Sequence, residues 1–144
     1  MKVMDIGIVI VSYNTRDLLR RCLQCVYASV NVTFSVCVVD NASRDGSAEM
    51  VRDEFPQVHL IANTQNVGYP AGNNQGLAHI GFTPSGFSEA PDYALLLNPD
   101  TEMQPDVLEN VIAYANKDTT IGIVGPKLVR LDGSLDKACR RSFP

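Results

Sequence analysis

The sequence predicts an α/β fold: a Rossmann-like, mostly parallel sheet with helices on both faces. Three observations carry this expectation. Short β-branched runs alternate with stretches of helical spacing. The first run is apolar on both alternating sets of positions, as a strand buried on both faces must be. Three of the runs end in concentrated polar chemistry, and in a doubly wound sheet such ends share the edge where ligands bind.

Ile6 to Val11 is the first predicted strand, ending in Ser12-Tyr13-Asn14. From Thr15 the spacing becomes helical, with Leu18, Leu19, Cys22, Val26 and Val30 forming a stripe and Asn14 or Thr15 placed to cap. Phe34 to Val39 is a second strand leading into Asp40-Asn41-Ala42-Ser43, and Gly46 to Phe55 is a helix with Ser43 or Asp45 as its cap. Val58 to Ala62 makes a third strand. Gly68, Gly72 and Gly76 punctuate a polar stretch holding a short helix that ends near Ile80, and Thr83 to Pro91 reads as a surface loop. Tyr93 to Leu97 is a fourth strand, Pro105 to Asn116 a helix, and Ile121 to Val124 a fifth strand closed by Gly125-Pro126. A polar hairpin begins around Asp132-Gly133.

The 144 residues suit one domain and leave no room for a second. With 45% hydrophobic and 19% charged residues the composition is that of a soluble globular protein. A net charge of −4, with no Lys/Arg stripe, argues against a nucleic-acid partner. The apolar start carries Asp5 and lacks a small-residue cleavage site, so it reads as a strand and not a signal peptide. Four cysteines, Cys22, Cys25, Cys37 and Cys139, suit reduced cytoplasmic thiols. Cys22 and Cys25 have the spacing of a redox pair but fall mid-helix, where two small half-buried residues are the commoner case. Neither His59 nor His79 stands at a zinc-like spacing from them.

Taken singly, a strand-end Asp is more often a cap or turn residue than a ligand. The coincidence of three polar strand ends on one edge reverses that preference. Asp100 follows Asn98-Pro99, and the residue before a proline is held extended, so the strand carries into the motif before it breaks. Mg2+ or Mn2+ is typically held by one or two carboxylates plus substrate phosphates, so Asp100 is the candidate metal ligand, with a helix cap as its alternative. The stretch Asn66 to Gly76 combines permissive glycines with amides able to bond sugar or ribose hydroxyls. Close packing of a helix through Gly72 and Gly76 is an equal expectation there. The stretch is neither a dinucleotide fingerprint nor a P-loop.

Taken in order, Ile8 to Asn14, Val38 to Ser47, Asn66 to Gly76 and Leu95 to Asp100 resemble the family 2 glycosyltransferases of GT-A fold, nearest the bacterial rhamnosyltransferase-like branch. The resemblance covers nearly the whole chain. It implies a nucleotide site made by Ser12, Tyr13, Asn14, Asp40, Asn41, Ser43, Asn66, Gly68, Gly72, Asn73 and Asn98, with Asp100 on the metal. Tyr13 would lie against the base, and Asp40 would accept from the ring N–H of uracil or thymine. The donor is then a UDP- or dTDP-sugar, passed with inversion to a saccharide or lipid-linked acceptor during cell-surface polysaccharide synthesis. Many members carry an aspartate where this chain has Asn98, so charge at the metal leans on the donor's phosphates.

The general base and acceptor site are expected beyond Pro144, making residues 1–144 the donor half of a single domain that stops short of its catalytic region. A cytoplasmic location follows, with peripheral attachment of the full-length protein at the inner membrane face left open. The rival classes are a non-catalytic nucleotide-binding or regulatory α/β domain and a sugar-nucleotide pyrophosphorylase. A receiver-like regulatory domain would carry an acid pair near the first strand's end, and a pyrophosphorylase a Gly/Arg/Lys loop after that strand; both are missing here, while a degenerate transferase domain kept only for binding stays open.

Overall fold

A computed structural model describes residues 5–87 and 90–136. Strands β1 (Ile6–Ser12), β2 (Phe34–Asp40), β3 (His59–Ala62) and β6 (Tyr93–Leu97) form one parallel sheet in the order β3-β2-β1-β6. Between them run helices α1 (Arg16–Tyr27), α2 (Ser47–Glu54) and α3 (Tyr69–His79), and α4 (Val107–Ala115) follows β6. The chain winds from β1 outward to β3 and then crosses back to place β6 on the other side of β1. The order therefore reverses between β1 and β6, which opens a crevice at their carboxyl ends.

Strand periodicity sorts the core into two faces. Ile6, Ile8 and Ile10 of β1 and Val36 and Val38 of β2 meet Leu19, Cys22, Leu23 and Val26 of α1, Met50 and Val51 of α2, and Leu108 of α4. The intervening residues, Val9, Val11, Cys37 and Val39, face the other way, toward Leu77 and Ile80. That second face is covered by α3. Gly72 and Gly76 let the helix approach the sheet, because a Cβ at Gly76 would overlap the methyls of Val9. At the amino edge of the sheet the rings of His59 and His79 stack with centroids 3.4 Å apart.

Three sequence expectations change. Ile121 to Val124 forms no strand: Ile123 is 95% exposed, glycine at the second position weakens so short a run, and it pairs with no strand among the described residues. Within the expected loop Thr83 to Pro91, β4 (Phe82–Thr83) and β5 (Gly86–Phe87) pair as a small antiparallel hairpin, fastened by the Thr83 hydroxyl donating to the Gly86 carbonyl at 3.0 Å. The cap of α2 is also reassigned, while Thr15 stands at the N-cap of α1 as expected. Thr15 and Gly46 hold the N-cap positions of α1 and α2 without side-chain capping bonds. Asp45 instead serves both helices, accepting from the Arg16 N–H at 2.9 Å and from the Ser47 N–H at 3.0 Å. The expected turn at Asp132-Gly133 is present, with Gly133 at φ 80°. Cys139 and the chain's last residues lie outside the described residues. Among the described residues no helix is long and apolar enough to cross a membrane.

Candidate functional site

The carboxyl ends of β1, β2 and β6 lie side by side. Ser12 is level with Asp40 across the β1–β2 ladder, and the pairing of Ile10 with Leu97 carries Asn98 and Pro99 alongside Val11 and Ser12. The loops leaving β1 and β2 are laced together: the Asn14 N–H donates to the Ser43 hydroxyl at 2.9 Å, and the Arg44 N–H donates to Asn14 Oδ1 at 2.8 Å. Both loops turn through left-handed backbone, Asn14 at φ 52° and Ala42 at φ 63°. Asn tolerates that region, whereas an Ala there costs about 1 kcal/mol or more, a strain that tends to be retained where a loop must hold a functional shape.

Asp40 is 2% exposed. Its Oδ2 accepts from the Ser43 N–H at 3.0 Å, while its Oδ1 is buried with no hydrogen-bond partner among the described residues. An unsatisfied buried carboxylate oxygen is uncommon, since removal from water costs more than a surface group would lose. Asn73 Oδ1 is likewise buried without a partner among the described residues, its Nδ2 donating to the Tyr69 carbonyl at 3.0 Å. Tyr13, by contrast, is 51% exposed, a free aromatic face at the rim. Ser12 is buried with its hydroxyl on Thr15 at 2.9 Å.

Asn41 belongs to the framework: its Nδ2 donates to the Gly68 carbonyl, its Oδ1 accepts from Asn63, and Asn63 pairs with Gln75. This amide ladder joins the ends of β2 and β3 to α3. Gly72 is buried against Val11, where an added Cβ would crowd the valine methyls, so close helix packing accounts for the glycine there. Asn66 Oδ1 accepts the Gly68 N–H at 2.9 Å, and Gly68 at φ 83° starts α3 with Pro70 in its first turn.

Asn98 and Asp100 stand exposed on the turn after β6. The Tyr69 hydroxyl donates to Asn98 Oδ1 at 3.2 Å, joining α3 to the Asn-Pro-Asp motif across the crevice. Asp100 makes no hydrogen bond or ion pair among the described residues, and no three His, Cys, Asp or Glu among them gather closely enough to hold a metal by themselves. Cys22 donates its thiol hydrogen to the Asn98 carbonyl at 3.6 Å. Burial, with the nearby charges of Cys25, Asp100 and Glu102, pushes that thiol up to about 12, and burial pushes Cys37 up to about 11. Raised pKa values disfavour the thiolate at Cys22 and Cys37, and Cys22 stands mid-helix in α1 as a buried core residue. Tyr69, Asn63, Gln75 and the double role of Asp45 escaped sequence reasoning. For Asp45 the Asp-Gly-Ser turn was a usable signal, while for the others only the fold pairs them.

Residues 7–140 match the family described as Glycosyl transferase family 2. The chain belongs to that family. This family 2 glycosyltransferase chain is 26% identical over 136 residues to an N-acetylglucosaminyl-diphospho-decaprenol L-rhamnosyltransferase of Mycobacterium tuberculosis, covering 93% of this chain and 44% of that one. It is 29% identical to the succinoglycan biosynthesis protein ExoO of Rhizobium meliloti, covering 92% of this chain and 36% of the relative. The chain thus spans less than half the length of either. Among solved structures it is similar to the mannosyltransferase PcManGT from Pyrobaculum calidifontis in complex with GDP-Man and Mn2+, with a TM-score of 0.70, 23% identity, and coverage of 83% of this chain and 34% of that chain. It is also similar to S. aureus TarS 1-349 in complex with UDP, with a TM-score of 0.65, 16% identity, and coverage of 90% of this chain and 43% of that one. The fold of this family 2 domain is GT-A, and the crevice between β1 and β6 is where such a sheet takes its ligand.

Proposed function

We propose that this domain binds the UDP or dTDP part of a nucleotide-sugar donor and is the donor half of an inverting, metal-assisted glycosyltransferase. One observation carries the proposal: the buried Oδ1 of Asp40, without a partner among the described residues, at the carboxyl end of β2 level with Ser12. A carboxylate oxygen accepts the ring N–H of uracil or thymine and repels the bare ring nitrogen of cytosine. Tyr13 supplies an exposed aromatic face on which the base can stack. Guanine offers an equivalent ring N–H, and one structural relative is named for its GDP-Man complex, so a guanosine diphosphate is the second reading.

Asp100 suits a hard divalent ion in partnership with phosphates: one free carboxylate on an exposed turn, with no protein cage around it. When bound, Mg2+ or Mn2+ would supply charge stabilisation to the departing diphosphate. In this proposal Asp100 holds the ion, Asp40 and Tyr13 hold the base, and Asn14, Ser43 and the left-handed Ala42 hold the loops that carry them. In this reading the residues named here serve the donor alone, and the acceptor is a saccharide or a lipid-linked substrate. A role in cell-surface polysaccharide synthesis accords with the names of the two curated relatives.

Calorimetry tests this with UDP, dTDP, GDP and CDP, with and without Mn2+. UDP or dTDP should bind more tightly than CDP, and Mn2+ should strengthen binding in the wild type but not in Asp100→Ala. Asp40→Asn removes the charge at constant shape and should weaken UDP about ten-fold while narrowing the UDP-to-CDP ratio, because a charge-assisted hydrogen bond becomes a neutral one. A ratio unchanged in Asp40→Asn would make Asp40 a turn residue and overturn the base assignment.

A further inference from the structure

Asn98 differs from a carboxylate in that its two ends are chemically distinct, one accepting and the other donating hydrogen bonds. An aspartate presents the same kind of atom whichever way it turns, whereas an asparagine needs an outside group to decide which end faces a ligand. Tyr69 is such a group. Its hydroxyl donates to Asn98 Oδ1 at 3.2 Å, and Asn98 Nδ2 has no protein partner among the described residues.

Both ends of the contact stand on fixed backbone. Behind Tyr69, the Gly68 N–H is held by Asn66, the Gly68 carbonyl by Asn41, and the Tyr69 carbonyl by Asn73. Behind Asn98, Pro99 stiffens the chain, and the Asn98 carbonyl accepts from the Thr101 N–H and the Cys22 thiol. The two side chains themselves are not clamped by burial, since Tyr69 is 47% exposed and Asn98 is exposed. Their orientation therefore rests on this hydrogen bond.

We propose that Tyr69 is a positioning residue: its hydroxyl fixes the Asn98 amide so that the NH2 group stands as a donor toward a ribose or diphosphate oxygen of the bound nucleotide. The proposal rests on the nucleotide-binding reading above. It also makes Asn98 a hydrogen-bond donor in place of a second metal carboxylate, leaving Asp100 as the one charged ligand from this motif.

Four chains test it: wild type, Tyr69→Phe, Asn98→Ala and the double variant, each titrated with UDP and with uridine in Mn2+. Tyr69→Phe, which keeps the ring, should weaken UDP about five-fold, the loss expected for one neutral hydrogen bond. The double variant should bind no more weakly than Asn98→Ala, because without the amide there is nothing left to orient. Equal losses with uridine assign the NH2 to ribose, and losses confined to UDP assign it to the diphosphate. Additive losses, or an unchanged affinity in Tyr69→Phe, overturn the proposal. If wild type fails to bind UDP, the nucleotide reading falls by itself, and the Asn98 side-chain NH2 resonances still decide the positioning role. They should show an ordered amide in wild type and a mobile one in Tyr69→Phe, and identical spectra would end the idea.

Discussion

The two faces of the sheet solve the same burial problem by opposite means. On one face α1, α2 and α4 bring large side chains to β1, β2 and β6, and Leu19, Leu23 and Val26 are fully buried against Ile8, Ile10 and Val38. On the other face α3 lies close because it has no side chain at Gly72 and Gly76, and its polar residues run into the amide ladder of Asn41, Asn63 and Gln75. That face covers less: Leu96, pointing to the same side, remains 46% exposed. One face depends on filling space and the other on leaving it empty. The close approach of the second is what brings Tyr69 to Asn98.

The largest effect expected from that contrast is deletion on the crowded face. Leu23→Ala should cost about 3 kcal/mol, read from the urea midpoint, because α1 is held in place by its neighbours and cannot collapse into the void. Next comes addition on the close-packed face. Gly76→Ala should cost about 2 kcal/mol, and Val9→Ala in the same chain should return part of it by removing the methyls that a new Cβ meets. If Gly76→Ala were neutral, α3 would be free to slide and the contrast would dissolve.

The smallest expected effect is with pH, at the far end of α3. Burial, and then the charge of His59, hold His79 below its ordinary value of 6.5. The folded chain therefore prefers neutral His79, and the stability this contributes is present above pH 6.5 and lost as pH falls from there toward the lowered folded value. The melting temperature should decline modestly below pH 6.5, and His79→Gln should flatten that part of the profile. A profile unchanged by His79→Gln would remove the histidine stack from the forces that seat α3.

Local pattern made most of the fold legible. Tyr93 to Leu97 forms as expected from its apolar β-rich run, and the other three sheet strands agree to within a residue at each end. The polar strand ends also meet at one edge, as their shared position in a parallel sheet required. What stayed hidden was pairing across the chain. Nothing near Arg16 announces that its N–H is capped by Asp45, and nothing near Tyr69 announces Asn98, because each partner is supplied by a different strand end. The fifth strand failed for the complementary reason. Ile121 to Val124 has strand composition, but β structure requires a partner and cover that composition cannot supply.

The strand order also bears on the sequence of events during folding. Ile6 pairs with Phe34 across one helix, but with Tyr93 only after three-fifths of the chain has been laid down. Closing the longer loop costs more chain entropy, so β6 is expected to dock after β1, β2 and β3 have formed a three-stranded nucleus. The crevice exists only once β6 has docked. In the proposed reading, the share of nucleotide affinity owed to Asn98 and Asp100 would then report the last step of assembly, and a chain arrested one step earlier would retain most of its helix signal while lacking that half of the site.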